Sequence, residues 1–198
     1  MIRSIRPIRF GIAMTVTTLA LAGCADQPDE PRTASAGTGA AAATADGEAG
    51  DDAVEVGLVD FGFEDLPDTV PVGTRLTVDN RADAELHELV AFRLPDDEER
   101  AVADLAGLAP ADLIGALGEP VTVLLATPGG DPIPAVGDGT LAEPGRYAIM
   151  CFIPTGVEPD VYLAAAAETD QGPPQIEGAG PPHFVHGMYA ELVVVHEG

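Results

Sequence analysis

From residue 54 onward, apolar and polar residues alternate in short runs, and Gly, Pro, Asn and Asp separate the runs. Residues 54–63 (VEVGLVDFGF) alternate loosely and are rich in Val and Phe. Residues 74–80 (TRLTVDN) alternate cleanly, with Leu76 and Val78 two apart. Further strands are expected at 86–94 (LHELVAFRL), 121–126 (VTVLLA), 145–153 (GRYAIMCFI) and 190–196 (AELVVVH). The 145–153 run is apolar on both of its faces, which marks a strand covered on two sides. Short β-branched runs bounded by turn residues predict a β-sandwich or barrel.

Two stretches follow a helical period instead. Residues 96–119 (DDEERAVADLAGLAPADLIGALGE) open with acids, which suit a helix N-terminus. Val102, Leu105 and Ala106 then fall at helical spacing. Pro110 is placed to open a second short helix at its first position, with Leu113, Ile114 and Leu117 on one face. Residues 161–169 (VYLAAAAET), after Pro159, form the other helical candidate, and a loop QGPPQIEGAGPP follows. Both helical pieces are expected outside the sandwich, as inserted covers.

The first 53 residues have a different character. Arg3, Arg6 and Arg9 form a basic start, residues 11–20 a short apolar core, and Leu21-Ala22-Gly23-Cys24 resembles a bacterial lipobox. The apolar run is too short to span a bilayer comfortably. Residues 1–23 therefore read as a lipoprotein signal peptide, and Cys24 as the lipidation site. Residues 24–53 hold that Cys and an Ala/Gly/Asp-rich stretch without a large apolar side chain. Such a stretch cannot bury enough surface to offset its ordering entropy, so it reads as a disordered tether. Residues 54–198 form one folding domain. The expected location is the extracytoplasmic face of the cell membrane, held there by lipid.

Charge narrows the partners. The 198-residue chain has no Lys; nine Arg face 33 Asp and Glu. Three Arg and no acid leave with the signal peptide, so the mature chain carries 6 − 33 = −27. Nucleic acid and anionic lipid surfaces would repel it, and a basic partner protein is favoured. The Ala/Gly/Asp/Arg-rich, Lys-free composition suits a high-GC genome such as an actinobacterial one.

The chemistry-bearing residues are few. The chain contains no GxSxG, no phosphate-binding Gly loop and no CxxC. His87-Glu88 begins like a zinc-protease motif, but Ala91 stands where a second His is required. With Cys24 lipidated, Cys151 is left without a partner, and an unpaired Cys outside the cytoplasm points to a reactive thiol, an intermolecular bond or a metal ligand. Near the C-terminus, GPPHFVHGMYAELVVV places His183, His186 and Met188 within six residues of a Pro/Gly-bounded loop. Two His, one Cys and a weak Met are the ligand set of a type 1 copper centre.

Taken in order, these residues resemble the cupredoxin family, the plastocyanin- and azurin-like domains. DNRADAELHEL supplies His87 with Asn80 upstream; GRYAIMCFIP supplies Cys151 in a Gly-x-Tyr-x-x-x-Cys run; HFVHGM supplies His183 and Met188 at a His-x4-Met spacing before a final strand, YAELVVV. The resemblance covers residues 54–198. It implies an all-β, cupredoxin-like Greek-key β-sandwich with short helical insertions. It implies one copper bound by His87, Cys151 and His183 with Met188 axial, and His186 as the alternative ligand. In plastocyanin-like proteins the Cys and the second His lie a few residues apart, whereas here 31 residues (152–182) separate Cys151 from His183. Loop closure costs grow slowly with length, so such an insertion can still return to the site.

The expected function is copper binding for one-electron transfer or copper handling, without enzymatic turnover. A multicopper oxidase would need a further His-rich cluster, which four His cannot supply beside this one. The alternative is a metal-free module in which the same sandwich recognises a ligand or protein and Cys151 is merely buried.

Overall fold

A computed structural model describes residues 53–169 and 172–196. The expected signal peptide, the expected lipidation site Cys24 and the expected tether up to residue 52 lie outside the described residues. Two sheets face one another. The first has three strands in the order β2 (Gly62–Glu64), β1 (Ala53–Val59) and β4 (Arg75–Asn80). The second has six: β3 (Thr69–Pro71), β9 (Tyr189–Val195), β8 (Gly145–Met150), β5 (His87–Arg93), β6 (Thr122–Ala126) and β7 (Ile133–Val136). The chain runs outward through β5, β6 and β7, then returns at β8 to pair antiparallel with the other side of β5. Pairing of β1 with β4 and of β3 with β9 is parallel. This is the all-β, Greek-key sandwich expected from the sequence, with short helices inserted.

Strand periodicity explains the core. Leu89 and Ala91 on β5, Tyr147 and Ile149 on β8, and Leu192 and Val194 on β9 point between the sheets, against Val56, Leu58, Leu76 and Val78. The intervening residues Val90 and Phe92 on β5, and Ala148 and Met150 on β8, point to the other side. There they meet Val102 and Leu105 of α1 (Val102–Ala106) and Leu113 and Leu117 of α2 (Pro110–Leu117). The six-stranded sheet is thus buried on both faces, which is why β5 and β8 read as nearly continuous apolar runs. Tyr147, fully buried, keeps its hydroxyl satisfied by donating to the Glu143 carbonyl at 2.8 Å.

Several element boundaries differ from the sequence expectation. The single strand expected at 54–63 is a hairpin, broken at Asp60 and Phe61, where Phe61 takes φ 60. β8 ends at Met150, so Cys151 stands one residue past the strand. The 96–119 region is helical only from Val102, and α3 (Pro159–Ala167) begins at its proline. Two short strands were not expected, β3 (TVP) and β7 (IPAV). Each carries a Pro, which lacks the donor for a central ladder. Both are edge strands, the one place in a sheet where Pro is tolerated.

If α1 and α2 complete a second core, truncating a buried side chain there should cost as much as one between the sheets. Leu105→Ala, at a fully buried position, should lose about 2–5 kcal/mol in denaturant unfolding. Ile114→Ala, on the exposed face of α2, should change stability by less than about 0.5 kcal/mol.

Candidate metal centre

Three segments converge at one end of the sandwich. His87 opens β5, Cys151 follows β8, and His183 opens a short 3-10 turn, His183–His186, before β9. All three side chains are fully buried. The His183 Nδ1 lies 3.0 Å from His87 Nδ1 and 3.5 Å from Cys151 Sγ. One ligand atom from each of the three residues lies within 4.8 Å of the others.

The long insertion is pinched off at its base. His183 N–H donates to the Ile153 carbonyl at 2.9 Å, and Phe184 N–H to that of Cys151 at 2.9 Å. Thr155 N–H donates to Pro181, and an antiparallel bridge joins Pro154 to Pro182. The two ends of a 31-residue excursion (152–182) therefore run side by side, and Cys151 and His183 meet as though the loop were short. The excursion itself packs back on the sandwich through Val157 and Tyr162. Gly187, at φ 108, then turns the chain sharply from the 3-10 turn into β9. A side chain would be strained in that conformation.

Met188 is fully buried in the same apolar cluster as Cys151. Its carbonyl accepts from Cys151 N–H and its N–H donates to the His183 carbonyl, both at 3.2 Å. His186 lies apart from the cluster on the exposed side of the turn, its ring 5.0 Å from that of Phe61. His196 is exposed beyond the last strand.

Neighbouring side chains complete the site; of them only Asn80 was marked by the sequence. Phe61 stands edge-on to His183, with ring centroids 5.3 Å apart, and covers the cluster from the β1–β2 turn. Asn80, buried at the end of β4, donates to the carbonyls of Glu85 at 2.9 Å and Ala126 at 2.7 Å, and accepts from Ala82 N–H. It thereby fixes the 80–86 loop that delivers His87. Glu85 Oε2 lies 2.8 Å from His183 Nε2, and Asp60 Oδ1 lies 3.6 Å from His87 Nε2. Neither ring nitrogen has a formed hydrogen bond, but each carboxylate favours the proton on the imidazole beside it. In a chain with 33 acids, nothing in the sequence marks these two out.

Burial sets the protonation states. It lowers the pKa of both imidazoles; for His183 the nearby His87 adds to the effect, and for His87 Asp60 opposes it. Both rings are therefore neutral near pH 7, as metal ligands must be. Burial, followed by the charge of Glu88, pushes the Cys151 thiol well up. Without a metal the thiol keeps its proton, so a cation would bind in exchange for it. The Glu88 N–H points at Cys151 Sγ, 3.5 Å away. The Glu88 carboxylate is buried too, and burial raises it to about 7, opposed by a hydrogen bond from Phe152 N–H.

Two neutral imidazoles and a thiol, with the Nδ1 atoms turned toward one another in a buried cluster, fit a soft or borderline cation. Hard cations such as magnesium or calcium need oxygen donors. With the thioether of Met188 nearby in the sequence and the core, this is the donor set of a type 1 copper centre.

Glu88 gives a pH signature in the metal-free protein. Its folded pKa lies above the ordinary carboxylate value, so its stability contribution is complete at low pH and is lost as pH rises toward and through 7. Glu88→Gln keeps the acceptor for Phe152 and removes this slope. Between pH 5 and pH 8 the variant should gain roughly 2–3 kcal/mol over the parent in urea unfolding. Parallel pH profiles would show that Glu88 does not titrate in this way.

No protein-family model matches the chain, and no curated protein matches it. Similar solved structures are auracyanins. Dithionite-reduced auracyanin from the photosynthetic bacterium Roseiflexus castenholzii is 19% identical, covers 73% of this chain and 97% of its own, and has a TM-score of 0.39. Auracyanin A, a "blue" copper protein from the green thermophilic photosynthetic bacterium Chloroflexus aurantiacus, is 16% identical over 72% of this chain and 98% of its own, with a TM-score of 0.36. Auracyanin B is 20% identical over 72% of this chain and 88% of its own, with a TM-score of 0.31.

Proposed function

We propose that the protein is a type 1 copper protein that carries single electrons, anchored by lipid at Cys24 on the extracytoplasmic face of the cell membrane. The observation that carries the copper reading is the convergence of His87, Cys151 and His183 in a fully buried cluster. In this reading His87 and His183 would hold copper through Nδ1, Cys151 through its thiolate, and Met188 would be the weak fourth donor. Copper held there would supply one-electron redox chemistry.

The chain's own residues do the rest. Strands β5 and β8 hold His87 and Cys151 in rigid register, pairing Val90 with Met150. The clamp at the base of the insertion holds His183 against them. Phe61 excludes water from the cluster. The lipobox and the tether after it support the anchor, and the charge of −27 (6 − 33) on the mature chain supports a basic partner, approached by electrostatic steering.

Voltammetry of the copper-loaded, full-length protein tests the role. A carrier should give a reversible one-electron wave. Met188→Leu should keep the wave and move it to higher potential, because losing a weak donor costs Cu(II) more than Cu(I). An irreversible wave with tight Cu(I) retention would assign the site to copper storage instead. An unmoved potential in Met188→Leu would remove Met188 from the ligand set.

A further inference from the structure

We propose that Glu85 is a positioning residue that decides which nitrogen of His183 faces the cluster. This deepens the copper reading by assigning the group that readies one ligand, but its first test needs no metal. A neutral imidazole carries one proton, on either ring nitrogen, and the partner of one nitrogen selects the state of the other. His183 Nδ1 faces His87 and Cys151, while its buried Nε2 has the Glu85 carboxylate 2.8 Å away and no formed hydrogen bond. A carboxylate accepts only, so its approach draws the proton to Nε2 and leaves Nδ1 bare.

The carboxylate is itself held in place. Its other oxygen, Oε1, accepts from Gly156 N–H at 3.1 Å, and the Glu85 carbonyl accepts from the buried Asn80 amide at 2.9 Å. Glu85 thus spans from the β4 end to the insertion and lies over His183. The corresponding group for His87 is weaker: Asp60 is 3.6 Å away and its side chain is 66% exposed, against 30% for Glu85. This asymmetry matters in the metal-free protein. Two bare Nδ1 atoms 3.0 Å apart would repel, so one of them carries a proton. The closer carboxylate assigns the bare nitrogen to His183 and the Nδ1 proton to His87, which donates across the gap.

The substitution that separates this account from a packing role is Glu85→Gln. The amide is nearly the same size. Its oxygen must remain on Gly156, whose N–H can only donate, so the amide NH2 is turned toward His183 Nε2. A donor at that point favours a bare Nε2 and moves the ring proton to Nδ1, where it blocks the ligand atom.

The experiment is a long-range proton–nitrogen correlation spectrum of the metal-free, nitrogen-15-labelled full-length protein near pH 7. The expected parent spectrum has His183 protonated at Nε2 and His87 at Nδ1. In Glu85→Gln, His183 should switch to the Nδ1-protonated form, and Cu(II) affinity should fall about 10–100-fold. A parent His183 protonated at Nδ1, or a His183 unaltered by Glu85→Gln, would overturn the assignment. The parent spectrum decides the first point even if the variant folds poorly. If the tautomers are as stated but the parent takes up no copper, the copper reading fails and the role of Glu85 stands.

Discussion

The site depends on a short backbone ladder at the base of the Cys151–His183 excursion. Phe184 N–H bonds the Cys151 carbonyl, His183 N–H bonds that of Ile153, and Cys151 N–H bonds that of Met188. Each bond joins residues that carry or neighbour a candidate ligand. The ladder converts a long loop into a local one, so that the side chains meet without reference to what lies between. It also frees the excursion to serve as a covering layer, with Tyr162 of α3 packed on the core.

A second constraint is the two-sided burial of the central sheet. Residues at odd positions of β5 and β8 face the sandwich, and those at even positions face α1 and α2. His87 and Cys151 follow the odd set, so both arrive on the sandwich side. Phe184, next to His183, goes the other way and joins the helical layer. The 3-10 turn therefore bridges both cores, which resists any shift of His183 away from its neighbours. Three buried groups of this kind gain little from the apolar interior by themselves. Their neutral states, favoured by desolvation, lower that cost and keep the imidazoles ready for a cation.

Much of this was legible in the sequence. Period-two alternation placed β4, β5, β6, β8 and β9 to within a few residues, and the His-x4-Met spacing separated His183 from His186. The structure brings the former into the cluster and leaves the latter outside. The hairpin at Phe61 was not legible, because a bulky residue at positive φ contradicts local preference and is set by tertiary contact with the imidazoles. Glu85 and Asp60 were hidden for another reason: an acid carries no signal among 33, and only the fold places these two beside ring nitrogens. The edge strands were hidden by their prolines.

In the proposed function, His87, Cys151 and His183 hold copper together. One equivalent of Cu(II) added to the metal-free, full-length protein, read by visible absorption and electron paramagnetic resonance, tests it most directly. Copper on these three residues should give an intense thiolate-to-copper band with narrow hyperfine splitting, both absent in Cys151→Ala. A colourless protein whose Cys151 thiol is shown to be free and unoxidised would contradict it.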